Sequence, residues 1–160
     1  VCAGTCYFAQ AYPYTVTDLE EHLAALEADP ARKLHFRRDE LCRTVADSSC
    51  EVLTVGAETN SAGATKPCVV LTARVHPSET AASYMILGAL EFLTSDAAEA
   101  ERLRERFMFK IIPMLNPDGV RYGRTRHSLA QVDLNRMYND AQEELHPTIF
   151  HLKGLLDATE

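Results

Sequence analysis

His76 and Glu79 stand three residues apart in Arg74-Val75-His76-Pro77-Ser78-Glu79-Thr80. An imidazole and a carboxylate held this close by a rigid turn can share one divalent metal, zinc above all. His-x-x-Glu alone is a short motif that chance produces readily, so its weight comes from its surroundings. Further on, Arg121, Arg124, Arg126 and Arg136 fall within one short stretch. On a chain of formal net charge −7, such a cluster reads as a local anion site; a solvated basic loop satisfies the composition equally. Arginine offers a planar donor fork to a carboxylate, and Asn135 beside Arg136 can add a third hydrogen bond.

These residues need elements to hold them. The apolar run Cys68-Val69-Val70-Leu71-Thr72-Ala73-Arg74-Val75 has the pattern of a strand covered on both faces, a central strand of an α/β sheet. Pro77 takes the chain out of the ladder, and a helix can follow at about 80–94, capped by Ser78 or Thr80. His76 and Glu79 then lie at the carboxyl end of that strand, where open α/β sheets place their sites. A second buried strand spans 107–115. A parallel crossover between the two sets Asn116 on the same edge as His76.

The remaining elements are expected to frame this pair. Thr17 and Glu20 read as the capping box of a helix carrying Leu19, Leu23 and Leu26 on one stripe, with His22 exposed and Asp29-Pro30 as its stop. Leu41–Val45 and Glu51–Val55 form a hairpin signature. Residues 96–106 read as a charged surface helix. Asn116-Pro117-Asp118-Gly119 reads as two turns in succession. Pro147 opens a terminal amphipathic helix.

The chain has 160 residues, 46% hydrophobic and 24% charged, in keeping with one globular domain or a large part of one. Its acidity argues against a nucleic-acid surface, and no apolar run reaches the length of a membrane span. Five cysteines without a Cys-x-x-Cys pair are expected to be reduced thiols of the cytoplasm.

Taken in order, Tyr12-Pro13-Tyr14-Thr15, Thr72–Thr80, Pro113–Val120, Asp133-Leu134-Asn135-Arg136 and Glu144–Thr148 resemble the motifs of the zinc carboxypeptidases. The resemblance is to their cytosolic branch, which trims glutamates from protein tails. It implies an α/β fold with a mixed, largely parallel β-sheet flanked by helices. It also implies that residues 14–160 are the N-terminal portion of the catalytic domain, and residues 1–13 the tail of a preceding β-rich domain. His76 and Glu79 correspond to two zinc ligands, Arg126 to the arginine that stabilises the oxyanion, and Asn135 with Arg136 to the grip on the terminal carboxylate. The branch reads Gly-Asn-Tyr-Arg where this chain has Gly123-Arg124-Thr125-Arg126, and Gly where Ser78 stands. A third zinc ligand and a general-base Glu are expected further downstream, so the chain alone is expected to be inactive. Implied partners are glutamate-rich tails such as polyglutamylated tubulin. A zinc amidohydrolase of small acyl-amino acids and a non-catalytic binder of acidic tails are the alternatives.

Overall fold

The computed structural model describes residues 4–159. Residues 1–3, part of the expected tail of a preceding domain, lie outside the described residues. Residues 4–13 contain no helix or strand, and Tyr7, Phe8 and Tyr12 are exposed. Helix α1 (Val16–Ala28) is capped two residues earlier than the Thr17 reading: Thr15 and Asp18 form the box. The Asp18 amide donates to Thr15 Oγ1 at 3.1 Å, and the Thr15 amide donates to Asp18 Oδ2 at 2.7 Å. The motif spacing occurs twice in this stretch. The earlier copy wins because it makes Val16 helical and buries it with Leu19, Leu23 and Leu26. His22 is not fully exposed: its Nε2 lies 3.3 Å from Glu91. Asp29 ends α1 and caps the short α2 (Pro30–Lys33), which begins on Pro30.

Strands β1 (Phe36–Arg43) and β2 (Ser49–Val55) form the expected antiparallel hairpin, with β1 starting earlier than its apolar residues indicate. Arg38 explains part of that extension: its guanidinium spans to Glu51 across the ladder and to Glu27 of α1. Strand β3 (Cys68–Thr72), helix α3 (Thr80–Leu93), helix α4 (Ala98–Arg106) and strand β4 (Met108–Ile112) make the parallel crossover. Helix α4 is charged as expected, yet Arg104 is buried, donating to the Leu93 and Ser95 carbonyls that end α3.

The sheet is mixed, in the order β1-β2-β4-β3, with β3–β4 parallel and the other two pairings antiparallel. Among the described strands β3 is therefore an edge, not the centre. Val69, Val70 and Leu71 are half-buried, while β4 is buried along most of its length. An apolar run records that both faces are covered, and it says nothing of how many neighbours a strand has.

Alternation along the strands builds two cores. Leu53, Val55, Phe109 and Ile111 face α1 and α3, whereas Cys50, Val52 and Ile112 face Ile149 and Leu152 of α6 (Pro147–Asp157). Helices thus cover both sides of the sheet. No helix among the described residues is long and apolar enough to cross a membrane.

Candidate active site

The chain leaves β3 along the end of β4. The Ala73 amide donates to the Ile112 carbonyl, the Leu115 amide to the Ala73 carbonyl and the Asn116 amide to the Arg74 carbonyl, all within 2.9–3.1 Å. Arg74 sits there at φ +54°, a left-handed conformation that costs a residue with a Cβ on the order of 1–3 kcal/mol. Its side chain, 2% exposed, secures the bend. The guanidinium donates to the Pro77 carbonyl at 2.7 and 3.2 Å, to the Tyr14 carbonyl at 3.1 Å and to Ser83 Oγ at 2.7 Å. One cation thus joins the approach to α1, the turn after His76 and the first turns of α3. Burial pulls the Arg74 pKa down from its ordinary value. The packing and hydrogen bonds around it must outweigh that tendency.

His76, 7% exposed, points both ring nitrogens at carboxylates. Nδ1 lies 2.9 Å from Glu79 Oε1 and Nε2 lies 3.0 Å from Asp133 Oδ1. Glu79 occupies the N-cap of α3 without a side-chain cap bond, because its carboxylate is turned to His76 instead. Neither Ser78 nor Thr80 is the cap residue. Burial pushes the Asp133 carboxyl up, but hydrogen bonds from His76, Arg126 and the Asn135 amide outweigh it and leave the carboxyl lowered to about 2. With Nε2–H donating to an ionised Asp133, the ring presents a lone pair on Nδ1 to the Glu79 carboxylate. Two acceptors 2.9 Å apart require a proton or a cation between them. That donor pair fits zinc, and a carboxylate behind the imidazole is the usual support of a histidine ligand. Among the described residues no group of three or more His, Cys, Asp or Glu gathers to hold a metal.

Asn116 couples this corner to the arginine loop. Its Oδ1 accepts from the Gly119 amide at 2.9 Å, capping α5 (Pro117–Arg121), where two successive turns were expected. Its Nδ2 reaches the Val75 carbonyl at 3.3 Å and the His127 carbonyl at 3.4 Å. The Ser78 amide also donates to the Thr125 carbonyl. Arg126 is therefore delivered next to the His76–Glu79 corner, where its Nε and Nη2 both hold Asp133 Oδ2, at 2.9 and 2.7 Å. Arg121 instead lies 3.7 Å from Glu20, and Arg124 makes no ion pair among the described residues.

Asp133 caps a single 3-10 turn, Leu134–Arg136, by accepting from the Asn135 amide at 3.0 Å. Leu134 is buried as its anchor, while Asn135 and Arg136 are exposed. The Arg136 guanidinium touches the Asn135 carbonyl at 3.2 Å. Of the other histidines, His127 is exposed. His146 is buried at the N-cap of α6, its Nδ1 accepting from the Gln142 amide, and His151 pairs with Glu143.

The arrangement joins a His–Glu pair, a carboxylate behind the His and an arginine on that carboxylate, with an Asn–Arg pair on the following turn. The zinc carboxypeptidase family model matches residues 23–150. The chain belongs to the zinc carboxypeptidase family. Among curated proteins it is 47% identical over 159 positions to cytosolic carboxypeptidase 1 of Mus musculus, covering 94% of this chain and 13% of that protein. It is 48% identical to cytosolic carboxypeptidase 4 of Mus musculus, covering 94% of this chain and 14% of that protein. A metallo-carboxypeptidase from Burkholderia cenocepacia has the same fold, with a TM-score of 0.83 at 29% identity, covering 92% of this chain and 39% of that one. The chain thus spans about an eighth of the length of the curated relatives.

Two residues that shape this corner escaped the sequence reading as individuals. Asp133 lay inside a recognised motif, but its aim at His76 crosses 57 residues. Arg74 stood in an apolar run, and a charge in such a run was the available sign that a side chain turns inward to hold backbone.

Proposed function

We propose that this chain carries the metal-holding and carboxylate-gripping part of a zinc metallocarboxypeptidase that removes glutamates from acidic protein tails in the cytoplasm. His76 and Glu79 would hold the zinc, with Nδ1 and the carboxylate as the donors. When bound, the zinc supplies Lewis-acid polarisation of the scissile carbonyl and makes water acidic enough to react near neutral pH. Asp133 keeps the His76 proton on Nε2 and so leaves Nδ1 free to donate its lone pair. Arg126 stands beside it and turns toward the oxygen on which negative charge develops. Asn135 and Arg136, exposed on their 3-10 turn, take the terminal carboxylate and fix which bond is presented. The observation that carries this reading is the His76 ring set between Glu79 and Asp133.

The relatives' name, cytosolic carboxypeptidase, supports a tail-trimming enzyme of the cytoplasm, and the basic Arg121–Arg136 stretch suits a substrate richer in carboxylates than the enzyme surface. The deciding experiment incubates the whole protein that carries this chain, with the 160-residue chain as the inactive reference, with a glutamate-tailed peptide and with an N-acyl amino acid, and measures free amino acid. Free glutamate released from the peptide, and lost with a zinc chelator or in His76→Ala, is the expected result. Hydrolysis of the acyl-amino acid with the peptide left intact would make the protein an amidohydrolase. Tight binding of the peptide without turnover would make it a binder of acidic tails.

A further inference from the structure

On the opposite side of the sheet from α1 and α3, Cys42 of β1 and Cys50 of β2 face one another as direct partners across the antiparallel ladder. Both thiols are free and buried in the second core beside Val52 and Ile149. Directly opposed residues of such a ladder have Cα atoms ~4.5–5.5 Å apart, inside the range a disulfide spans. A β-bulge between Glu40 and Cys42 puts the pair in register just before the turn that closes the hairpin. Cys42 is also reachable. It lines an open groove with Arg43, Glu143, Glu144, Pro147 and His151, at the start of α6.

The geometry points to Cys42 and Cys50 as a site of reversible two-electron oxidation by hydrogen peroxide, closing a cross-strand disulfide within the β1–β2 hairpin. The two sulfurs differ in the way such a site requires. Cys42 lines the groove, whereas Cys50 is 0% exposed and its thiol donates to the Met114 carbonyl at 3.6 Å. Cys42, the sulfur open to the groove, is thus the attacking one, and the enclosed Cys50 the resolving one.

In the first step the Cys42 thiolate attacks one peroxide oxygen, the O–O bond breaks, and hydroxide leaves to take up a proton as water. The Cys50 sulfur then attacks the Cys42 sulfenic acid; the S–O bond breaks, and hydroxide leaves with the Cys50 proton as a second water. Two thiols and one peroxide become one disulfide and two waters, the sulfurs losing two electrons and the peroxide gaining them. Closure also withdraws the Cys50 S–H from the Met114 carbonyl, which it meets at 3.6 Å, two residues before Asn116.

The test treats the full chain with hydrogen peroxide, counts thiols and maps peptides without reduction. Loss of two thiols per chain, a mass decrease of about 2 Da on the peptide pair holding Cys42 and Cys50, and recovery with dithiothreitol are expected. In Cys50→Ser the Cys42 sulfenic acid should persist and be trapped by dimedone, and in Cys42→Ser Cys50 should remain a thiol. Circular dichroism checks that each variant folds; where one does not, the wild-type peptide map decides alone. A bridge between other cysteines, two unreacted thiols, or Cys42 carried to sulfinic acid without bridging would each overturn the assignment.

Discussion

His76 is enclosed, with a carboxylate on each ring nitrogen and a buried arginine fixing the turn that carries it. Arg136, on the same side of the molecule, stands in solvent and touches the carbonyl of its own neighbour. The His76 corner is held by contacts that bridge distant parts of the chain: Tyr14, Asn116 and Asp133 all reach Arg74, Val75 or His76. The arginine side is held by one buried leucine and by Asp133. The contrast separates two demands. A ligand pair must be fixed before the metal arrives, which needs buried polar contacts and ties its function to stability. A group that grips a charged substrate must stay hydrated and free until the substrate comes, which leaves its function nearly independent of stability.

The strongest way to break this contrast is through the exposed arginines. In the complete enzyme, Arg126→Ala should slow turnover by ~10²–10³-fold, the usual loss for one oxyanion donor, with melting temperature little changed. Arg136→Ala should instead raise KM by at least ~30-fold, the loss of a ~2 kcal/mol charged contact, while kcat stays near wild type. The logic is that the carboxylate is charged before and during reaction, whereas the carbonyl oxygen gains charge only in the transition state. Arg124→Ala is the control. If Arg124→Ala slows turnover and Arg126→Ala does not, the two arginines exchange roles.

How legible each half was in the sequence follows from the same contrast. The strand–turn–helix that presents His76 and Glu79 could be read because Pro77 and the apolar run are local signals. The parallel β3–α3–α4–β4 crossover could be read for the same reason, and the chain's fold class with it. What could not be read locally were the contacts that cross the chain. That β3 has one neighbour among the described strands depends on which strands pair, and no residue of β3 encodes that. Asp133 backing His76 and Arg74 holding Tyr14 span 57 and 60 residues. The cap of α1 failed for a different reason. Thr15-x-x-Asp18 and Thr17-x-x-Glu20 satisfy the same spacing, and the burial of Val16 chose between them.

Next in expected size is Arg74→Ala, directed at the enclosed half. It leaves the Pro77 and Tyr14 carbonyls and Ser83 Oγ without their shared donor in a buried site. Losing several bonds to one charged group costs ~2–4 kcal/mol, which lowers the melting temperature of a domain this size by ~5–15 °C. Zinc uptake should fall with it, because the His76 turn loses its brace. A melting temperature within two degrees of wild type would show that the turn holds itself and that the enclosure of His76 is incidental.

Asp133→Asn sharpens the comparison at the one residue shared by both halves. The amide cannot hold the Nε2 proton as a carboxylate does, nor pair ionically with Arg126. Zinc affinity should fall by ~10–100-fold, the usual cost of losing such support, while the fold persists. Competition with a chromogenic chelator measures this directly. Unchanged affinity would mean that Asp133 serves Arg126 alone.

The smallest effect belongs to Tyr14, and it tests whether the enclosed half is held through main chain rather than side chain. Burial first, and then the nearby Asp18 charge, push the Tyr14 phenol up to about 12 from its ordinary 10.0. A raised folded value means the folded chain keeps its proton where the unfolded chain has lost it. The contribution to stability is complete below pH 10 and is lost as pH rises from 10 to 12. Tyr14→Phe removes this titration, keeps the ring that packs edge-on against Tyr84 at 5.3 Å, and keeps the carbonyl that receives Arg74. Stability at pH 7 should therefore change by under ~0.5 kcal/mol, as for a substitution that sacrifices no packing. The fall in melting temperature between pH 10 and 12 should become shallower than in wild type. An equally steep alkaline fall in the variant would place the titrating group elsewhere. A large loss at pH 7 would mean that the phenol itself, not the Tyr14 carbonyl, anchors the approach to α1 against Arg74.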